Sequence, residues 1–208
     1  MHRVHILSAI LLVAVFMVGG CSGVAPSFVD EFTVLENGWG EDNRNGFERG
    51  YDGGEYYIKL TSTDWFAWAY PPRKFEDAEI AVYASLASGS SDNHFGVVCR
   101  YTSPGDFYYL AVSSDGYYGI FRRIDGGALE CISDANGMLP LSESDGIDGV
   151  VRVSAICKGT ELSLYLNDQW IVSVTDDNHS KGYVGVGAGS GATGDVRVNF
   201  DSFSVRVP

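Results

Sequence analysis

The chain has 208 residues and carries 14 Lys and Arg against 27 Asp and Glu, for a formal net charge of -13 at pH 7. That balance argues against nucleic acid and anionic lipid as ligands, which both require basic surface. With 13% aromatic residues and 26 glycines, the composition indicates an all-β fold with many turns.

The N-terminus reads as an address. His2, Arg3 and His5 give a short basic start, and an apolar run follows from Ile6 to Val18, broken by Ser8. The run is short for a membrane span and has the form of a signal peptide over residues 1–20. It ends in Val18-Gly19-Gly20-Cys21, which resembles the bacterial lipobox. The resemblance implies that Cys21 becomes the lipid-bearing first residue, with 21–27 a tether and the protein held in the cell envelope on the extracytoplasmic side. Residues 28–208 are enough for one domain with a sizeable core.

Phe28 to Val34 is the first predicted strand, and a polar loop from Glu36 to Gly46 holds Trp39. Glu55 to Leu60 is a strand. The segment Asp64 to Tyr70 (DWFAWAY) is short and aromatic, and Pro71-Pro72 ends it because proline cannot donate to a ladder. Phe75 to Leu86 alternates with a period of two. The segment from Phe95 to Phe121 reads as a three-stranded meander, with Phe95, Val97, Cys99 and Tyr101 on one face of its first strand. Pro104-Gly105-Asp106 and Asp115-Gly116 supply the turns, the second as a type I′ hairpin. The middle strand is apolar on both faces, so it belongs inside its sheet, although its tyrosines could also wall a groove.

Ala128 to Ile132, Val150 to Ile156, Glu161 to Leu166, Gln169 to Thr175 and Tyr183 to Ala188 are further strands, with Asn167-Asp168 a second hairpin signal. Trp170 shares a face with Val172 and Val174 and reads as core. In the last strand, Val196 to Val207, the apolar parity flips after Phe200, which predicts a β-bulge near Asp201-Ser202. Short strands at this spacing give an antiparallel two-sheet β-sandwich or a barrel.

Cys99, Cys131 and Cys157 remain after the leader, in a compartment that permits disulfides. Three cysteines allow one bridge. Cys99 and Cys157 fall in predicted strands and are the favoured pair, leaving Cys131 free. No spacing suits zinc.

The pattern resembles concanavalin A-like lectin/glucanase (laminin G-like) jelly rolls, and more narrowly bacterial lipoproteins with one such domain. The resemblance is carried by Asp30-Glu31-Phe32 with Trp39, the DWFAWAY segment, Phe95 to Tyr101, Phe107-Tyr108-Tyr109, Ser114 to Tyr118, Leu162 to Asn167, Gly182 to Val186 and Phe200 to Phe203. It implies a jelly-roll fold shared by lectins, glycosidases and adhesion modules, and it supports the Cys99–Cys157 pairing. Such jelly rolls often place an oxygen-rich calcium site where the first and last strands meet, for which Asp30 and Asp201 are the candidates, and the reading preferred to it is surface carboxylates without a metal.

The chemistry in the chain favours binding. A glucanase of this fold carries Glu-x-Asp-x-x-Glu along a strand. The nearest run, Glu143 to Asp148, has Gly146 inside it and reads as a solvated acidic loop. His94 and His179 lack a nucleophile elbow and read as structural. Trp39, Trp65 and Trp68 are candidates for stacking on sugar rings, with Tyr108 and Arg100 beside them, though Arg100 is read first as a structural ion-pair partner. Trp65 and Trp68 have opposite parity, so a regular strand exposes one of them. The expected protein is a lipid-anchored glycan-binding module without its own catalysis. The alternatives are a glycoside-processing hydrolase, including the 3-keto-disaccharide hydrolase-like kind, and a structural envelope protein using a sheet face for protein contact.

Overall fold

The structure is a computed structural model that describes residues 27–142, 147 and 149–208. The leader, Cys21 and the acidic residues Glu143, Asp145 and Asp148 lie outside the described residues.

Among the described residues, seventeen strands form two antiparallel sheets. In chain order they are β1 (Phe28–Asp30), β2 (Asp42–Arg44), β3 (Phe47–Asp52), β4 (Glu55–Leu60), β5 (Phe66–Ala69), β6 (Lys74–Phe75), β7 (Ala78–Ser88), β8 (Asn93–Ser103) and β9 (Asp106–Val112). They continue with β10 (Tyr117–Arg123), β11 (Glu130–Cys131), β12 (Leu139–Pro140), β13 (Val151–Lys158), β14 (Glu161–Leu166), β15 (Gln169–Thr175), β16 (Gly182–Ser190) and β17 (Val196–Arg206). A first sheet runs β15-β14-β13-β7-β17-β4-β3-β2, with β1 on β17. A second runs β11-β10-β9-β8-β16-β5, with β12 on β10 and β6 on β16.

The main core lies between the sheets. Ile58, Val82, Val198 and Phe200 from the first sheet meet Phe95, Val97, Tyr108, Leu110 and Val186 from the second. At one end, Asp30 organises a packed aromatic group. Its carboxylate accepts from the Phe32 amide at 2.8 Å and from the Trp39 indole N–H at 2.7 Å. Phe32, Tyr56 and Phe203 close around Trp39. Trp39 is therefore a core residue, 2% exposed, which corrects its expected place on a binding surface. The polar loop could not reveal this, because the partner that makes an indole worth burying lies nine residues away.

Bulges decide which side chains reach which face. The shift in β17 falls where the parity change predicts it, between Asp201 and Ser204, with Ser202 at φ 50. A second bulge in β8 follows Cys99, with Arg100 at φ 54. It moves Tyr101 to the opposite face from Cys99, so the expected four-residue alternation stops one residue early. A third, in the β14–β15 pairing, turns Trp170 outward while Val172 and Val174 stay against the core. Trp170 is 61% exposed, contrary to its reading as core, and its indole N–H donates to the Ser173 hydroxyl at 2.9 Å.

The Asn167-Asp168 turn has positive φ at both positions, as a type I′ hairpin requires. At Asp115-Gly116 only Gly116 does (φ 90), and Ser113 and Tyr117 close a longer loop. Strands β2 and β3 went unpredicted because their charged residues give no period-two apolar signal.

Cys99 on β8 and Cys157 on β13 form a disulfide that crosses the core from one sheet to the other. Cys131 is free, with its thiol donating to the Gly137 carbonyl at 3.3 Å. Fifty-eight residues separate the bridged pair, and closing a loop of that length in the unfolded chain is worth about 4 kcal/mol. Urea unfolding of the Cys99→Ala/Cys157→Ala variant should show a loss of about that size, and reduced wild type should behave like the variant. An unchanged midpoint would mean that the bridge contributes no net stability.

Candidate functional site

The second sheet is buried on both faces. Its outward residues form a separate apolar layer: Val98, Tyr101, Phe107, Tyr109, Ala111 and Phe121, with Phe66, Trp68, Tyr70 and Tyr183 partly exposed around them. The cause lies in β16, whose outward positions include Gly187 and Gly189. A Cβ on Gly187 would stand 3.0 Å from the Phe66 and Tyr109 rings, and one on Gly189 would strike the His94 ring at 2.0 Å. The glycines leave a furrow, and rings from the flanking strands fill it. Phe66 lies 4.7 Å from Tyr109, and Tyr70 lies 4.6 Å from Tyr101 and 4.9 Å from Tyr183, between ring centroids. Leu129, Cys131 and Met138 cover one part of this layer.

The uncovered part ends in a cavity of about 300 Å³ where the edge strands of the two sheets meet. From β5 and its approach come Trp65, Phe66 and Trp68; Tyr70, Tyr101 and Pro104 lie beyond them. From the opposite sheet come Asp42 and Arg44 on β2 and Phe47 and Arg49 on β3. The Arg49 guanidinium donates to the Trp68 carbonyl through Nη1, tying β3 to β5 across the opening. Trp65 precedes the strand, where Ser190 fixes its backbone from both sides: the Trp65 amide donates to Ser190 Oγ at 3.1 Å, and the Ser190 amide donates to the Trp65 carbonyl at 2.9 Å. Because Trp65 lies outside the regular strand, parity does not govern it. Trp65 and Trp68 therefore line the same cavity.

Arg44 Nε donates to Asp42 Oδ1 at 2.8 Å, and this pairing holds the Asp42 carboxyl below the usual carboxylate range. Burial pushes the Tyr101 hydroxyl up to about 12, so it remains a protonated donor at neutral pH. The cavity thus offers flat apolar faces beside planar polar groups. A stacked ring bearing hydroxyls needs both.

Two other expected ligand residues face elsewhere. Tyr108 points into the core, donates to Asp176 and accepts from the His179 amide at 3.1 Å; its neighbour Tyr109 takes the outer face. Arg100, 2% exposed, donates to the His179 carbonyl at 2.9 Å and lies 3.6 Å from Asp77. Its role is structural, because the β8 bulge sends it into the protein.

The Asp30 and Asp201 carboxylates are also engaged, Asp30 as described and Asp201 by the Ser202 amide at 2.7 Å. Calcium takes six to eight oxygens. Among the described residues no group of three or more His, Cys, Asp or Glu is placed to hold a metal.

His94 lies on β8 within the outer layer. Its Nδ1 lies 3.1 Å from the Tyr109 hydroxyl, which also reaches the Gly187 carbonyl at 3.3 Å. A smaller concavity of about 200 Å³ on the first sheet is lined by Glu79, Arg152 and Asp168, and there Arg152 and Asp168 pair with each other.

No family model matches the chain, and no curated protein is significantly similar to it in sequence. Solved structures do match. A carbohydrate-binding module CBM66 from Bacillus subtilis superposes with TM-score 0.58 at 14% identity, over 72% of this chain and 86% of that one. A protein of unknown function with a galectin-like fold, also from Bacillus subtilis, gives 0.62 at 13% identity, over 88% and 96%. A Bacillus licheniformis β-glucanase gives 0.61 at 11% identity, over 88% and 99%. These similarities establish the fold as a concanavalin A-like jelly roll.

Burial in the aromatic layer drives the His94 pKa down to about 4, against the opposing pull of Asp92. The folded pKa lies below the ordinary value near 6.5, so the unfolded chain binds more protons between those limits. Stability should be full above about pH 6.5 and fall by up to about 3 kcal/mol as pH drops to about 4. Asp176, lowered to about 2, adds its loss mainly below about pH 4, with only the start of it inside this window. Denaturant unfolding from pH 4 to 7 should show the slope in wild type and lose it in His94→Phe; an equal slope in both would place the titration elsewhere.

Proposed function

We propose that the protein is a lipid-anchored, extracytoplasmic carbohydrate-binding module whose ligand occupies the cavity between β2–β3 and β5. The observation that carries this reading is the cavity's lining. Trp65, Trp68, Tyr70 and Tyr101 surround a space of about 300 Å³ with Asp42, Arg44 and Arg49 at its rim. Sugar rings present apolar C–H faces to indoles and hydroxyls to planar charged groups. The tryptophans sit on or next to a strand, so little freedom is lost when a ring stacks on them. The jelly-roll fold is compatible with this role, since the carbohydrate-binding module CBM66 from Bacillus subtilis shares it.

Binding is preferred to hydrolysis for a reason local to the cavity. Glycoside hydrolysis generally needs two carboxyl groups across the scissile bond, one held protonated as an acid. Asp42 is the carboxylate among the described lining residues, and Arg44 shifts it in the opposite direction. The lipid anchor rests on the lipobox-like Val18 to Cys21.

A glycan-library screen of the purified full-length chain in detergent tests the reading, with and without calcium, read by tryptophan fluorescence and by product release. Saturable binding without product is expected. Trp68→Ala should weaken it about 10- to 30-fold, the usual cost of truncating an aromatic anchor, and Trp170→Ala, remote from the cavity, should not. Released sugar would replace this reading with the hydrolase, and silence in both channels would favour a protein-contact role.

A further inference from the structure

We propose that the bound glycan carries a carboxylate, as a uronic acid does, and that Arg49 receives it. This inference rests on the glycan reading above. Two guanidinium groups line the cavity with one carboxylate, Asp42, and that carboxylate is engaged by Arg44. Arg49 makes no ion pair among the described residues. Its described hydrogen bond goes to the neutral Trp68 carbonyl, and its Nε is buried without a partner. A half-buried guanidinium left this way is unfavourable in the free protein. Nε is buried, so a carboxylate in the cavity would meet the guanidinium at its Nη edge and offset its charge there, with charge-assisted bonds about twice as strong as neutral ones. Trp68 and Tyr101 line the same cavity, so a pyranose ring stacked there would bring an acidic substituent within reach of Arg49.

The opposing consideration is the net charge of -13. Charges more than about 8 Å away are largely screened at physiological ionic strength. The nearer carboxylates are Asp42, bound to Arg44, and exposed Glu41, which sits beside Gly50. Asp42 stands opposite Arg49 in the β2–β3 ladder and interacts with it electrostatically, but its oxygens are held by Arg44, so Arg49 is left without an ion pair of its own among the described residues.

Isothermal titration of the full-length chain with oligogalacturonate and alginate oligosaccharides, each beside its carboxyl-reduced neutral counterpart, decides the matter. An acidic oligosaccharide should bind at least tenfold tighter than its reduced form, and added salt should weaken it. Arg49→Gln should abolish the preference. Asp42→Asn should widen it by freeing Arg44, a gain that misfolding cannot mimic. Equal affinity for acid and reduced forms, or tighter acid binding in high salt, would overturn the carboxylate inference and leave the glycan reading standing. A preference that survives in Arg49→Gln would overturn the assignment to Arg49. Failure of every glycan, acidic or neutral, in titration and in the library screen would remove both.

Discussion

A two-sheet sandwich needs one apolar face per sheet, and here the second sheet has two. Its strands β8, β9 and β16 bury residues toward the core and also away from it. The outer layer exists because Gly187 and Gly189 leave room that neighbouring rings occupy. Glycine in a strand ordinarily weakens it through lost packing and higher unfolded-state entropy. Rings from β5, β8 and β9 make up for that loss by closing over the glycines. The same layer leaves Trp68, Tyr70 and Tyr183 at its uncovered margin. Core packing and candidate ligand surface are thus parts of one aromatic sheet of side chains.

The margin becomes a cavity because the first sheet reaches it. Strand β3 would otherwise be a polar strip near the edge, but Arg49 spans the opening to the Trp68 backbone. That bond fixes the distance between a charged wall and an aromatic wall. Binding surfaces built on strands hold their geometry better than those on loops, and here loops contribute Trp65, Tyr70 and Pro104. The disulfide provides a second crossing between the sheets, from β8 to β13. Two independent ties therefore limit how far the sheets can slide.

The fold class was legible because alternation, turn residues and the parity flip in β17 are local signals. Strands β4, β14 and β15 lie where the pattern places them, and the bulge near Ser202 was readable from the sequence alone. The candidate site was only half legible. Trp65 and Trp68 were visible as tryptophans near a strand end, but Arg44 and Arg49 lie on strands whose charged residues masked them. Tyr101 was placed on the wrong face by a bulge that leaves no composition signal, since Arg100 adopts the positive φ there rather than Gly, while Arg100 itself has the structural role read first for it. Trp39 was misplaced because its burial depends on Asp30, and hydrogen-bond partners across a loop have no periodicity to read.

The unsatisfied group in the cavity wall connects packing to function. Natural structures pair nearly all buried polar atoms, so an orphan calls for a physical reason. Among the described residues, the Arg122 guanidinium with an orphan Nε is compensated by Asp176 and Glu130, and Arg100 lies near Asp77. Arg49 makes no ion pair among the described residues, since Asp42, opposite it in the β2–β3 ladder, is held by Arg44, and Arg49 lines the cavity described above. Local rules are broken most often where a site is kept ready for something outside the chain. A charge left incomplete beside a rigid aromatic wall gives directionality to a surface that stacking alone would leave indifferent to which sugar it holds. Stacking sets the plane of the ring, and the guanidinium sets which edge of it faces β3.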